Sequence, residues 1–275
     1  MNKFNDYPLE LKEIIADFEV VEEINGRIGD KIIKFSNKEN EILFLKISES
    51  FNAQNEMYNE CTILKWMSSA GLVIPEVLFY EKNEQRSFML LSNVPGSAAH
   101  EIENHLSKEE IIRLSAEALK AVHKIDICSV PRDYQDCLEV ELRNISENVK
   151  NDLIDIDAFK NANSDRSPES VLEYLLERKS IFNTDVFTHG DYCLPNILID
   201  EEGKFGFVDW SQAGIGDIYR DISPVVKSIR RNFGEAYEAL FFKYYGVAED
   251  DVDMEKVVYY DLIDQFCYYK KTEKR

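Results

Sequence analysis

Thr188-His189-Gly190-Asp191-Tyr192-Cys193-Leu194-Pro195-Asn196-Ile197-Leu198-Ile199-Asp200-Glu201-Glu202-Gly203-Lys204-Phe205-Gly206-Phe207-Val208-Asp209-Trp210 is the stretch on which the reading of this chain turns. Residues 196–200 read as a buried strand, 201–204 as a turn and 205–208 as a return strand, so the hairpin is expected to carry Asp209 back beside Asn196. Asp191 and Asn196 stand five positions apart on one loop, a spacing at which a single turn presents a carboxylate and a neutral amide to the same phosphate. Phosphoryl transfer needs oxygen ligands for magnesium and a carboxylate that orients the attacking hydroxyl and receives its proton. On those grounds Asp191 is expected to be the catalytic group and Asn196 and Asp209 the Mg2+ ligands. His189 is expected to support the loop through hydrogen bonding rather than to act as the base, because it precedes the aspartate that can reach substrate. Turn preference alone explains any one Gly, Asp or Asn here, but four fixed positions plus a hairpin ask for more.

These residues resemble those of the aminoglycoside phosphotransferases, specifically the kanamycin kinase branch. That branch runs His-Gly-Asp, a short loop, Asn, a hairpin and Gly-Phe-Ile-Asp, which here is Gly206-Phe207-Val208-Asp209. The resemblance continues through residues 217–222, 228–230, 240–246 and 259–264 and covers most of the chain. It implies an α+β, bilobal protein-kinase-like fold. A small β-sheet N-terminal lobe is expected over 1–92, a hinge over 93–97 and a larger, mainly α-helical C-terminal lobe over 98–275. It further implies Mg2+-dependent transfer of the γ-phosphoryl group of ATP or GTP to a hydroxyl of an aminoglycoside, giving antibiotic resistance.

Upstream, residues 9–18 have helical spacing, and 18–24, 31–35 and 41–47 read as β-rich segments. Between the first two lies Ile24-Asn25-Gly26-Arg27-Ile28-Gly29-Asp30. It is either an ordinary turn or a loop that closes over phosphates through backbone N–H groups. It is not a Gly-x-Gly-x-x-Gly loop, and no Walker A sequence occurs. Lys46 is a lone cation in the apolar run Ile42-Leu43-Phe44-Leu45-Lys46-Ile47, and Glu60 falls in a helical segment over 53–69. Phosphoryl transfer uses such a pair, the lysine on the α- and β-phosphates and the glutamate fixing its ammonium. A snorkelling lysine and a solvent-facing glutamate are the alternative. The resemblance places Lys46 and Glu60 on the matching family positions and Phe44 where a ring can face adenine, although a core position suits Phe44 equally. After strands at 77–80 and 87–91, Ser92-Asn93-Val94-Pro95-Gly96 reads as the interlobe hinge, offering Asn93 C=O and Val94 N–H to an adenine edge.

From Ser107 the pattern turns helical. Ser107-Lys108-Glu109-Glu110 reads as a capping box ahead of an apolar face over 111–122, Pro168 opens a helix to 179, and further helices are expected after Asp217, near Glu235 and from Met254. His100, His105 and His123 are assigned structural roles. The resemblance implies a polycationic substrate held by acids, and nominates Asp157, Asp264 and Gln265 as substrate residues, with Asp152, Asp155 and Glu235 as further acids. The chain departs from the family there. Arg231 stands where some members are acidic, Gln212 where others have Arg, and Gln265 where a second acid is expected. The chain also runs on through Tyr268-Tyr269-Lys270-Lys271, where family members often end in an aromatic residue whose terminal carboxylate contributes. Alternatives therefore stay open: a kinase of a macrolide, choline, methylthioribose or fructosamine type substrate, or a nucleotide-binding pseudoenzyme.

With 275 residues and 44% hydrophobic content the chain can bury a substantial core, as one bilobal unit requires. A formal net charge of −20 argues against nucleic acid or an anionic membrane as partner and suits a cationic small molecule, although solubility alone also accounts for it. Five scattered cysteines without a Cys-x-x-Cys pair read as reduced thiols. No signal-like or membrane-length apolar run is present, so a cytoplasmic monomer or dimer is expected.

Overall fold

The computed structural model describes residues 6–25, 31–49, 51–162 and 166–267. The turn around Gly26 and Gly29, Asn163 and the tail from Tyr268 onward lie outside the described residues. Contacts divide the chain into two compact units, Met1–Gly96 with Lys204–Gln212 and Ser97–Gly203 with Ala213–Arg275. Residues 204–212 thus group with the first unit, whereas the expected lobe boundaries left them in the second.

The first unit opens with α1 (Leu9–Ile14), shorter than the periodicity suggested, and then β1 (Glu19–Asn25), β2 (Lys31–Ser36), β3 (Ile42–Ser48), α2 (Phe51–Met67), β4 (Val77–Lys82) and β5 (Ser87–Ser92). The five strands form one antiparallel sheet in the order β1-β2-β3-β5-β4. Side chains alternate across a strand, so one face collects the apolar residues. Ile33, Phe35, Leu43, Leu45, Ile47, Phe79, Phe88 and Leu90 cluster there with Leu11 and Ile15. The same period of two sends Phe44 and Lys46 to the opposite face, where Lys46 pairs in register with Ile32 on one side and Met89 on the other.

The second unit contains β6 (Ser97–Ala98), α3 (Lys108–His123), α4 (Cys137–Lys150), α5 (Ile156–Ala162), α6 (Pro168–Arg178), β7 (Val186–Thr188) and β8 (Ile197–Ile199). The chain then passes through β9 (Phe205–Phe207), which belongs to the first unit, before β10 (Gly214–Gly216), α7 (Tyr219–Asn232), α8 (Glu238–Tyr245) and α9 (Met254–Asp264). β6 pairs with β8 and β7 with β10, both antiparallel. The α3 capping box forms as read: Ser107 Oγ accepts the Glu110 N–H at 3.3 Å and the Glu110 carboxylate accepts the Ser107 N–H at 3.1 Å. Its apolar stripe, including Ile111, Leu119 and Val122, is fully buried. α3 packs against α8 and α7 against α9. No helix among the described residues is long and apolar enough to cross a membrane.

Candidate active site

In the first unit, β3 and α2 bring two of the expected residues together. Lys46 Nζ lies 2.8 and 2.7 Å from the two Glu60 carboxylate oxygens and 3.3 Å from Asp209 Oδ1. Glu60 is 2% exposed, so the snorkelling alternative does not hold for this pair. Burial pulls the Lys46 ammonium down, but the charges of Glu60 and Asp209 outweigh it and hold the group above its ordinary range, firmly cationic. Burial pushes Glu60 up against the pull of Lys46. Asp209 follows β9 with φ 65°, a left-handed backbone that costs a non-glycine residue free energy and is commonest where function demands it. β9 itself is pinned by the Phe207 N–H donating to Val73 C=O at 2.9 Å. A Cβ on Gly206 would stand 2.5 Å from Val94 Cγ1 and 3.0 Å from Val73 C=O, so glycine is what lets the Val94 side chain and the Val73 backbone come this close.

Phe44 is half-buried with the Lys34 ammonium 5.9 Å from its ring centroid. The β5 ladder ends where Ser92 pairs with Leu43, so Asn93 and Val94 lie just past its last pair. Asn93 is exposed, while the Val94 side chain is buried and leaves its backbone as the part that can meet a ligand.

In the second unit, β7 feeds the loop that holds His189, Asp191 and Asn196. Gly190, at φ 86°, makes the bend. Asn196 is not part of a strand, as its sequence suggested, but closes a single 3-10 turn over Leu194–Asn196 ahead of β8. Its Nδ2 donates to Asp191 C=O at 2.9 Å and to Asp191 Oδ2 at 3.0 Å. One amide therefore fixes both backbone and side chain of the expected catalytic residue, and the amide's Oδ1 is the atom suited to a cation. His189 is fully buried, and its Nδ1 accepts the Asp191 N–H at 3.4 Å. Tyr192 is also fully buried and donates to Ser115 C=O at 2.7 Å, tying the loop to α3.

Two residues the sequence did not single out for the site are central to it. Asp221, fully buried on α7, accepts the His189 N–H at 2.8 Å and the Gly190 N–H at 2.7 Å. Arg220, next to it, donates to Thr188 Oγ1 and to Glu141 on α4, each at 2.8 Å. A signal for Asp221 was present, since it sits among Ile218, Ile222 and Val225, the spacing of a buried helix face.

The expected substrate residues lie on neighbouring elements but differ in exposure. Asp157 is exposed in the first turn of α5, whose cap is Asp155. α5 packs on the turn over Gln265–Cys267 through Phe159 and Phe266, rings 5.0 Å apart. Gln265 is buried, and its Oε1 has no hydrogen-bond partner among the described residues. Asp264 is half-exposed, yet burial pushes its carboxyl up to about 7, with Asp191, Asp261 and Glu141 adding repulsion that Lys227 opposes.

Magnesium suits this donor set. Among the described residues no three His, Cys, Asp or Glu side chains cluster for a metal. Magnesium at phosphoryl-transfer sites takes one or two carboxylates with phosphates and water rather than an all-protein cage, and the Asp209 carboxylate in the first unit and the Asn196 amide oxygen in the second are each donors of the kind it takes.

A model of the phosphotransferase enzyme family matches residues 23–257. An aminoglycoside 3'-phosphotransferase of Niallia circulans is 32% identical over 95% of this chain and 97% of its own length. One from Enterococcus faecalis is 32% identical over 93% and 96%. Among solved structures, an aminoglycoside-3'-phosphotransferase of type VIII superposes with a TM-score of 0.73 at 22% identity, covering 90% of this chain and 93% of that one. The Streptomyces rimosus aminoglycoside phosphotransferase in complex with ADP and streptomycin gives 0.71 at 20%, covering 94% and 97%. These structural likenesses show the fold, and with the matches along nearly the full sequence, the chain belongs to the phosphotransferase enzyme family, on its aminoglycoside 3'-phosphotransferase branch.

Proposed function

We propose that this protein transfers the γ-phosphoryl group of ATP or GTP to a hydroxyl of an aminoglycoside, working in the cytoplasm. The observation that carries the reading is Lys46, held by both oxygens of a buried Glu60 and by Asp209. A cation fixed in this way has the form needed to grip nucleotide phosphates without wandering. Asn93 C=O and Val94 N–H would read the adenine edge, with Phe44 against the ring. Asp209 and the Asn196 Oδ1 would hold magnesium, which supplies charge neutralisation and a template for the phosphates. Asp191 would accept a hydrogen bond from the acceptor hydroxyl, aim its oxygen at the γ-phosphorus and receive the proton as the bond forms. Because the transition state is loose, this positioning outweighs strong base catalysis. The names of the relatives support an aminoglycoside as acceptor, held in part by Asp157, Asp264 and the Gln265 Oε1.

A second reading, a less cationic hydroxyl substrate, is favoured by Lys227. Its Nζ lies 2.6 Å from Asp261 and 3.9 Å from Asp264, so part of the acidic charge is already neutralised. Purified protein incubated with magnesium ATP or GTP and a panel of aminoglycosides, with Asp191→Ala as control, decides between them. A phosphate mass gain on a drug, with wild type only, supports the first reading. Nucleotide turnover on other hydroxyl compounds but on no aminoglycoside would replace it with the second.

A further inference from the structure

Asp221 accepts more than the two loop amides. Its Oδ2 also lies 3.0 Å from His123 Nε2 at the end of α3, and His123 Nδ1 lies 2.7 Å from the Tyr245 hydroxyl at the end of α8. The His123 and Tyr245 rings meet edge-on at 5.9 Å. Burial pushes the Asp221 carboxyl up, but the hydrogen bond from His123 and the fields of His123, His189 and Arg220 outweigh it and hold the group below the usual carboxylate range. An ionised carboxylate only accepts, so His123 donates from Nε2, and the Tyr245 hydroxyl, which can donate or accept, pairs with Nδ1. Three donors thus converge on one buried carboxylate: two from the backbone immediately before Asp191 and one from a side chain 98 residues upstream of Asp221.

We propose that His123, oriented by Tyr245, is a positioning residue for phosphoryl transfer: it fixes the rotamer of Asp221, and through it the backbone that aims Asp191. The inference rests on Asp191 being the group that orients the acceptor hydroxyl. A buried carboxylate that loses a charge-assisted donor must shift or take up a proton, and either change loosens the two loop amides. Lys46, Glu60 and Asp209 belong to the first unit and His123, Asp221 and Tyr245 to the second, so the defect is expected in turnover rather than in nucleotide binding.

The test compares His123→Leu, His123→Gln and Tyr245→Phe with wild type, reading kcat and KM for magnesium nucleotide and acceptor, and the Gly190 amide proton by NMR. His123→Leu is expected to lower kcat by about 10- to 100-fold, since small misplacements of a reacting group cost that much, with nucleotide KM within about two-fold. Gln carries its own Nε2 donor to the same reach and is expected to restore most of the rate, and Tyr245→Phe to show a smaller loss of the same kind. The Gly190 amide is expected to lose its downfield shift and exchange faster in His123→Leu and not in His123→Gln. Wild-type kcat and an unmoved amide in His123→Leu, or a glutamine variant as damaged as the leucine one, would overturn the proposal. If His123→Leu does not fold, Tyr245→Phe and His123→Gln decide it: an unmoved amide and full kcat in Tyr245→Phe overturn it. If wild type modifies no aminoglycoside, the substrate reading fails by itself, and the amide still decides whether His123 sets the loop.

Discussion

Asp191 is held by the Asn196 amide, which engages both its C=O and its Oδ2, and by the His189 ring, which accepts its N–H. A group so restrained contributes through aim, and Asp191→Ala is expected to lower kcat by about 10²- to 10⁴-fold while nucleotide affinity stays near wild type. Near-normal turnover in a folded Asp191→Ala protein would remove Asp191 from the mechanism. Asp264 offers a test by pH. With its carboxyl raised to about 7, it is ionised above neutrality and attracts an ammonium group, and it becomes neutral as pH falls below that point. KM for a cationic acceptor is therefore expected to rise as pH is lowered from about 8 to about 6, and Asp264→Asn is expected to show the higher KM throughout with a flatter profile. Identical profiles for the two proteins would exclude Asp264 from substrate binding. What the sequence revealed at this scale was local. His189, Asp191 and Asn196 are close along the chain and could be grouped by spacing, whereas Asp221, 32 residues from His189, and His123, 98 residues from Asp221, meet only through the packing of three helices.

Elements were legible where a chemical signal marked their ends. The box of Ser107 and Glu110 announced α3, and Pro168 at the first turn, with Ser167 accepting the Ser170 N–H, announced α6. α4 and α5 were not read. α4 carries its buried Cys137, Leu138, Leu142 and Ile145 among charged residues, and its cap, Asp136, resembles any loop acid until the Glu139 N–H is seen to donate to it. Ser107→Ala is expected to cost about 1 kcal/mol of stability by removing the side-chain acceptor of the α3 cap, measurable by denaturant unfolding. A larger local constraint sits at Gly206. Its missing Cβ leaves room for Val94 and Val73 against β9, and Gly206→Ala is expected to cost about 1–3 kcal/mol as overpacking, with nucleotide affinity reduced because Asp209 follows two residues beyond β9. An alanine variant as stable and as tight-binding as wild type would show that β9 yields freely.

At the scale of the whole molecule, 52 acidic against 32 basic residues give the chain a net charge of −20. The sequence alone could not say whether that excess serves solubility or recognition, because charge counts carry no positions. The positions help: Asp264 stands near enough to Asp191, Asp261 and Glu141 for their repulsion to raise its carboxyl, while Lys227 is the cation that opposes them. An acidic field of this kind draws a polycation over distances of the screening length, about 10 Å at 0.1 M salt, and fades as salt rises. The kcat/KM for a polycationic aminoglycoside is therefore expected to fall by about ten-fold between roughly 20 mM and 300 mM salt, mostly through KM. An acceptor with a single positive charge should fall far less. Lys227→Ala tests the sign from the other side: removing the cation beside Asp261 and Asp264 should lower KM for the polycation and steepen its salt dependence. If kcat/KM for the polycation is flat with salt and unchanged in Lys227→Ala, the charge serves solubility, and the less cationic substrate becomes the better reading of the site.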